Sequence, residues 1–163
     1  MNSILDNTYS IEEKRMIVNY TNRVNKEMRR LINMAIPYYL TKLELSDSIR
    51  KDLVINIFIR HDESRGSCEH EISRKSPRVF DIILNPHEET SIFQTLAHEL
   101  VHLVQFATGR LKMFTTVCRW NGVKWKAARN EMDDYYDSPW EIEAFGREEG
   151  LYIRFLLDHE NEL

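Results

Sequence analysis

The sequence predicts an α+β fold in a single domain, because segments with helical and with strand-like periodicity both occur within 163 residues. Segments 53–60 and 78–84 are rich in β-branched residues, which is typical of buried strands. Segments 10–36, 90–108 and 138–157 instead carry apolar residues at the spacing of an amphipathic helix. A hydrophobic content of 42% and a charged content of 29% are those of a soluble globular protein.

We expect residues 1–163 to form one domain, with residues 1–9 outside regular structure. A net charge of −4 does not favour binding to nucleic acid, and no apolar run is long enough to span a membrane. The first residues lack the basic region and apolar core of a signal peptide. We therefore expect a cytoplasmic protein (in the host cytoplasm if the chain is viral), monomeric, with Cys68 and Cys118 as free thiols.

The first predicted helix follows a capping box formed by Ser10 and Glu13. Its apolar stripe has helical spacing and consists of Ile17, Tyr20, Val24, Met28, Leu31 and Ala35. Pro37 is expected to end this helix near Ile36, because proline lacks the N–H group that a helix interior needs.

A small sheet is predicted between the first helix and the central one. Its two clear strands are segments 53–60 and 78–84, and they are separated by a polar loop at 61–67 and a third, short strand at 68–72. The histidines of this region are expected on the surface or in loops and are not assigned as ligands; they are His61, His70 and His87.

A hairpin is predicted after the central helix, because Asn121-Gly122 lies between two short apolar runs. Trp120 and Trp125 flank this turn, and they either anchor the hairpin or cover a cleft. We favour the anchoring role, since large aromatic side chains mostly bury area. Ser138 then begins the last helix.

The most informative segment is His98-Glu99-Leu100-Val101-His102, an HExxH motif within the central helix. Residues four apart lie on one face of a helix, so both imidazoles can reach one metal ion with Zn–N bonds of about 2.0–2.1 Å. Glu99 lies roughly 100° away around the helix, too far to be a third ligand beside the histidines. It can still reach a metal-bound water and act as general base.

The helix that carries this motif is amphipathic. One side holds Ser91, His98, His102 and Gln105, and the other holds Ile92, Leu96, Leu100, Leu103 and Ala107. Gly109 is expected to end the helix, whereas its start is either Asn85-Pro86 or Thr90-Ser91. The alternative interpretation is a core helix with two buried histidines, which the amphipathic pattern around the motif disfavours.

This segment resembles the active-site helix of the zincin metallopeptidases. The resemblance implies a zinc ion, a water-activating Glu99 and a mixed sheet beside the helix. It also implies that an edge strand, here within 68–84, pairs with an extended protein or peptide substrate.

A catalytic zinc ion has three protein ligands, so a third one is needed besides the histidines. The third histidine of metzincins would fall at Thr108, and the only histidine downstream of His102 is His159, a poor match to the SprT-like pattern. Gluzincins use a glutamate followed three residues later by a small residue, and Glu141 and Ala144 match that pattern. A similar Pro-Trp-Glu-Ile-Glu-Ala segment follows HExxH helices in small proteins of phages and bacteria.

Glu143 is the alternative third ligand. Glu141 begins a mostly apolar stripe that should face the protein, whereas Glu143 lies on the opposite stripe and can pair with Arg147. Helical phase therefore favours Glu141. However, Ser138 and Glu141 also form a capping box, which would give Glu141 a purely structural role.

Three further residues are candidates for supporting roles. Tyr135 and Tyr136 precede the last helix, and a hydroxyl of either can stabilise the oxyanion of a tetrahedral intermediate, or both rings only pack. Glu148 lies two turns after Glu141 on the same face, where it can hold a ligand histidine or form a buried salt bridge.

Together these residues predict a zinc-dependent metallopeptidase, with zinc on His98, His102 and Glu141 and with Glu99 as the base. Two alternatives stay open. One is a regulatory protease with a single protein partner, as in the similar ImmA/IrrE type, and the other is a zinc-binding scaffold without general protease activity. The presence of Glu99 argues against the scaffold, because a scaffold needs no base at that position.

Overall fold

The computed structural model describes residues 15–20, 24–72, 75–86, 90–115, 117–125 and 133–163, and these residues have an α+β fold, as expected. The elements in chain order are β1 (Ile17–Tyr20), α1 (Lys26–Lys42), α2 (Asp47–Arg50), β2 (Val54–Ile59), β3 (Gly66–Glu69), β4 (Val79–Leu84), α3 (Ile92–Ala107), β5 (Leu111–Met113), β6 (Cys118–Trp120), β7 (Val123–Trp125), α4 (Asp133–Asp137) and α5 (Pro139–Asp158). The expectation for residues 1–9 and the capping box of Ser10 and Glu13 lie outside the described residues.

The larger sheet has the strand order β1-β2-β4-β3. β1, β2 and β4 run parallel, whereas β3 runs antiparallel to β4 at one edge, so the sheet is mixed. Its inward side chains are fully buried against α1 and α3; they include Ile55, Ile57, Phe80 and Ile82. The hydrophobic core therefore lies between this sheet and the helices.

Helix α3 is the central element, and every residue from Thr95 to Ala107 is buried. Ser91 is its N-cap, and the Ser91 hydroxyl accepts the N–H of Phe93 at 3.3 Å, which decides between the two predicted starts. At the other end Gly109 has a φ of +74°, as a glycine just past a helix end often does. Because α5 packs along α3, the histidine side of α3 is covered by a second helix.

The predicted first helix is wrong in its initial part. Ile17–Tyr20 form strand β1, which pairs in parallel with β2, and the helix begins only at Lys26 after the N-cap Asn25. The spacing of Ile17 and Tyr20 fits a helix, but isoleucine and tyrosine are also common in strands. Hydrogen bonding to the core strand β2 outweighs the weak preference of this segment for a helix.

The prediction that Pro37 ends the helix is also wrong. α1 continues through Pro37 to Lys42, although a proline inside a helix costs about 3 kcal/mol. Tyr39 and Leu40, in the turn that follows, are completely buried. Burial of two such side chains offsets a cost of this size.

The remaining strands differ little from the predictions. β2 and β4 match the predicted strands, while the third strand begins at Gly66 rather than at residue 68. Asn121 and Gly122 form the tight turn of the predicted hairpin, with φ values of 48° and 82°. The sequence did not predict β5, which joins this hairpin to make a second, three-stranded sheet.

The hairpin is anchored through its tryptophans. The rings of Trp120 and Trp125 lie 6.3 Å and 5.9 Å from the ring of Trp140 in α5. Cys68 and Cys118 are free thiols, as expected. Among the helices of the described ranges, none is long and apolar enough to cross a membrane.

The position of Ile57 gives a test of this packing. Ile57 is completely buried in β2, between β1 and β4. Ile57→Ala should therefore lower the free energy of unfolding by about 2–5 kcal/mol. Ile153→Ala is the matched control, because Ile153 in α5 is 45% exposed, and it should change stability by about 0.5 kcal/mol or less. Urea unfolding would measure both, and equal losses would contradict the assigned core.

Candidate metal centre

Helices α3 and α5 bring three potential metal ligands together. The Nε2 atoms of His98 and His102 lie 3.1 Å apart, one turn from each other on α3. Glu141, in the first turn of α5, places Oε1 3.3 Å from Nε2 of His102 and Oε2 3.4 Å from Nε2 of His98. All three side chains are buried, and together they form a group that can hold a metal ion.

The other ring nitrogen of each histidine already has a partner. Nδ1 of His98 lies 2.6 Å from Oε2 of Glu148, and Nδ1 of His102 lies 2.9 Å from Oε1 of Gln105. Both partners are oxygen acceptors, so each Nδ1 donates a proton, and each Nε2 is the nitrogen left to bind a metal ion once it carries no proton. The two Nε2 atoms therefore face the same place as the carboxylate of Glu141.

A cation fits this arrangement. Oε2 of Glu141 is buried and has no hydrogen-bond partner within the described part of the chain. An unpaired buried carboxylate oxygen is costly, and two Nε2 atoms 3.1 Å apart need either a proton or a metal ion between them. One metal ion between the three groups would satisfy all of them, as it does in sites built from histidine and glutamate.

Glu148 has both of the roles considered from the sequence. Besides accepting from His98, its carboxylate pairs with Arg65, whose Nη1 donates to Oε1 at 3.0 Å. The side-chain amide of Gln94 donates to the same oxygen at 3.0 Å. Arg65 is held in turn by Asn85, whose backbone N–H donates to its carbonyl at 3.0 Å.

Gln105 has the corresponding role for His102, and the sequence did not reveal it. The amide nitrogen of Gln105 donates to the carbonyl of Trp140 and to Oε2 of Glu143, both at 3.0 Å. These two acceptors fix the amide so that its oxygen faces His102. The available signal was the spacing of three residues from His102, which brings two side chains together on a helix.

Glu143 is not part of the group formed by the two histidines and Glu141. It forms a two-bond pair with Arg110, at 3.1 Å and 2.8 Å, and a longer contact with Arg147 at 3.5 Å. The capping alternative for Glu141 is not formed either, because the hydroxyl of Ser138 donates to the carbonyl of Tyr135 at 2.6 Å. The structure thus brings Glu141, and not Glu143, to the two histidines.

Glu99 lies beside the centre without being part of the ligand group. Its side chain is only 4% exposed and lies against Gly66 of the edge strand β3. A Cβ atom added at Gly66 would be 2.7 Å from Oε1 of Glu99 and 2.7 Å from Cγ2 of Thr95. The absence of a side chain at Gly66 therefore allows β3 to approach α3 at the position of Glu99.

The ionisable groups of the centre influence one another strongly. Burial acts to lower the pKa of His98, but the carboxylates of Glu141 and Glu148 outweigh it and raise this pKa to about 9. Burial raises the pKa of Glu99 to about 7, against the attraction of the two histidines. Burial opposes ionisation of Glu141 and Glu148 as well, yet the two histidines beside Glu141, and His98 with Arg65 beside Glu148, lower the pKa of each carboxyl group to about 2. The centre therefore carries two carboxylates that are ionised at neutral pH, which favours a bound cation.

The two tyrosines occupy different places. Tyr135 lies next to Glu141, and burial together with that carboxylate raises the pKa of the Tyr135 hydroxyl. The ring of Tyr136 instead lies 5.7 Å from the ring of Phe145, at the rim of the centre. Of the two tyrosines, Tyr135 is therefore the one that lies next to a candidate metal ligand, Glu141.

Two hollows open beside the centre, and His98 and Glu99 line both of them. The first has a volume of about 390 Å³ and its wall is mainly apolar, formed by Phe106, Leu111, Met113 and Trp140. The second has a volume of about 540 Å³ and is lined by Arg65, Tyr135, Tyr136 and Phe145. The centre is therefore reachable from solvent although its ligands are buried.

Comparison of the chain with protein-family models, with curated proteins and with solved structures gives no match. Function is therefore inferred from the chemistry of the site, because a fold class alone does not determine an activity.

Metal affinity should separate the two glutamates of α5. Glu141→Ala removes one of the three candidate ligands and should weaken binding of added zinc by more than about 100-fold, because loss of a residue that only hydrogen-bonds to a ligand already costs about 10–100-fold. Glu148 hydrogen-bonds to His98 without reaching the metal position itself, so Glu148→Gln should weaken metal binding by about 10–100-fold. Glu143→Ala should have the smallest effect, since Glu143 reaches the centre only through Gln105. Competitive chelation at neutral pH would measure all three, and a larger loss for Glu143→Ala than for Glu141→Ala would transfer the ligand role.

Gly66→Ala should disturb Glu99 more than the metal ligands. The added methyl group would be 2.7 Å from Oε1 of Glu99, so either this carboxylate or strand β3 has to move. We expect zinc stoichiometry to be retained and the turnover of any hydrolytic reaction to fall at least about tenfold, because a displacement of about 1 Å can cost that much. Gly146→Ala is the matched control, since an added Cβ there meets no atom within 4 Å. Equal activity of both variants would show that Glu99 tolerates displacement.

Proposed function

We propose that the protein is a zinc-dependent metallopeptidase. In this proposal His98, His102 and Glu141 hold the zinc ion, and Glu99 is the general base. The observation that carries the proposal is the buried convergence of two imidazole Nε2 atoms and one carboxylate, with a fourth ionisable side chain beside them. This combination of groups is typical of hydrolytic zinc sites.

Zinc is favoured over other metals by the donors and by their spacing. Two neutral imidazoles and one carboxylate are ligands that suit zinc, whereas magnesium and calcium prefer oxygen alone. Ligands about 2.0–2.1 Å from a tetrahedral zinc ion lie about 3.3–3.4 Å from one another. The two Nε2 atoms are 3.1 Å apart, and each lies 3.3–3.4 Å from a different oxygen of Glu141, so all three groups are within reach of one ion.

The reaction assigned to the site is hydrolysis of a peptide bond. When bound, zinc polarises a carbonyl group and makes a water molecule more acidic. The carboxylate of Glu99 accepts the proton of that water and then gives it to the departing amine. The hydroxyl of Tyr135 is the available donor to an oxyanion, because it lies beside Glu141 and in both hollows.

Strand β3 supports a peptide as the substrate. It is an edge strand of the mixed sheet, and Gly66, Ser67 and Cys68 line the first hollow together with His98 and Glu99. An edge strand presents backbone groups that an extended peptide can pair with. Such pairing would place the peptide backbone along α3 beside the three ligands.

The buried position of Glu99 argues against a purely structural zinc site. A carboxylate that is 4% exposed is costly to keep and contributes no metal ligand. A scaffold would gain from an apolar residue at that position. A catalytic base, in contrast, requires a carboxylate there.

Glu99→Gln provides the decisive test. The zinc-loaded protein should cleave unfolded casein, or a narrower set of proteins if it is a regulatory protease, and removal of zinc by a chelator should stop the reaction. Glu99→Gln should keep zinc and the fold but lower turnover by about 10²–10⁴-fold, the usual contribution of a general base. Mass spectrometry of the products and metal analysis of each variant would give the result.

Glu149→Gln is the matched control, because Glu149 is exposed on α5 and lies outside the centre. It should retain full activity. Loss of zinc from Glu99→Gln would make Glu99 a ligand, and no cleavage of casein or of a proteome-wide peptide mixture by the zinc-loaded protein would exclude the peptidase.

A further inference from the structure

Three exposed aromatic rings lie together at the rim of the second hollow. Tyr135, Tyr136 and Phe145 are 43%, 57% and 40% exposed, although large aromatic residues usually bury most of their surface. The ring centroids of Tyr135 and Tyr136 are 5.1 Å apart, and those of Tyr136 and Phe145 are 5.7 Å apart. The three rings thus form one continuous apolar surface, which we call the aromatic rim.

The aromatic rim is directly joined to the metal centre. The ring of Phe145 packs edge to face on the ring of His98, with a centroid distance of 4.7 Å. His98 and Glu99 line the same hollow as the rim, and its volume of about 540 Å³ is within the range of small-ligand pockets. A group that occupies this hollow would therefore lie beside the reacting atoms.

The charges around the hollow do not favour a cation. The guanidinium of Arg65 lies 5.8 Å from the centre of the Phe145 ring, and its positive charge is paired with Glu148. A second cation in the hollow would approach Arg65, whereas a neutral ring would contact the rim without any charge cost. Glu63 and Glu99 contribute carboxylates to the lining. Glu63 is exposed to solvent and therefore attracts charges only weakly, whereas Glu99 is buried against Gly66 beside the metal centre and is the proposed general base.

We infer that the aromatic rim binds an aromatic side chain of the peptide substrate, at a residue adjoining the bond that is cleaved. The reaction rests on the proposed peptidase function, whereas the binding of the ring does not. Aromatic rings prefer offset or edge-to-face contacts at centroid distances of about 4.5–7 Å. Tyr136 and Phe145 already meet at an interplanar angle of 34°, so an added ring can pack against both.

The first experiment measures binding of the ring alone. N-acetyl-4-fluorophenylalanine amide is titrated into the full chain by fluorine NMR, both with zinc and after chelation, and the alanine and lysine analogues are tested as competitors. The fluorinated probe should bind at least about tenfold more tightly than either analogue, because an aromatic ring buries more apolar surface. Equal affinity for the alanine analogue, or tighter binding of the lysine analogue, would overturn the inference.

Two variants of the rim assign the binding. Tyr136→Ala and Phe145→Ala should each weaken binding of the fluorinated probe by about tenfold. Tyr136 contacts no metal ligand in the described structure, so its variant remains informative if Phe145→Ala disturbs His98. Ile142→Ala is the matched control, since Ile142 is an exposed apolar residue of α5 that does not line the hollow, and it should bind like the parent protein. Unchanged affinity in both rim variants would overturn the inference.

The second experiment measures cleavage. Peptides that differ only in phenylalanine or alanine beside the cleaved bond should differ at least about tenfold in kcat/KM, and Tyr136→Ala should remove this preference. Cleavage without such a preference would overturn the inference and leave the peptidase in place. Binding of the probe at the aromatic rim without cleavage of any peptide would exclude the peptidase but support the aromatic binding site.

Discussion

The centre depends on two hydrogen bonds that bind the Nδ1 atoms of its histidines. Glu148 accepts from His98, and Gln105 accepts from His102, so both Nε2 atoms are left to face each other and Glu141. This arrangement needs a positive charge between the rings, which either a proton on His98 or a metal ion that replaces it can supply. Glu141 adds a carboxylate rather than a hydrogen-bond donor, and this makes the need for a cation stronger.

The contacts of Glu141 and Glu148 with the two histidines also determine how the elements pack. Glu141 and Glu148 are two turns apart on one face of α5, and both contact α3, so α5 can dock on α3 in one register only. Arg65 neutralises Glu148 from the segment just before β3, which fixes the edge strand near the HExxH residues. One connected, largely buried group of ionisable side chains therefore positions α3, α5 and the edge strand β3.

The local patterns of the sequence predicted helix α3, and helical phase favoured Glu141 over Glu143 as the neighbour of its two histidines, which is where the structure has Glu141. Those features depend on spacing within a single helix, which the sequence contains directly. The prediction that Glu143 lies on the opposite stripe is less accurate, because Glu143 also contacts α3 through Gln105. The strand β1 was missed because its four residues become a strand only by pairing with β2, far away in the chain. Arg65 was missed for a related reason, since its partner Glu148 lies 83 residues away and the contact exists only after folding. The spacing of Gln105 from His102 was visible in the sequence, but the two acceptors that fix its amide come from α5.

The order of the elements along the chain has a consequence for biosynthesis. Both histidines lie on α3, whereas the carboxylate that completes the ligand group lies on α5, the last element of the described chain. A ribosome-bound chain that has not yet released α5 has two imidazoles without either carboxylate of the centre, and metal affinity rises when α5 docks. A metal ion bound by all three groups would therefore report that α5 has docked, and a chain whose synthesis has not reached α5 lacks one of the three donors.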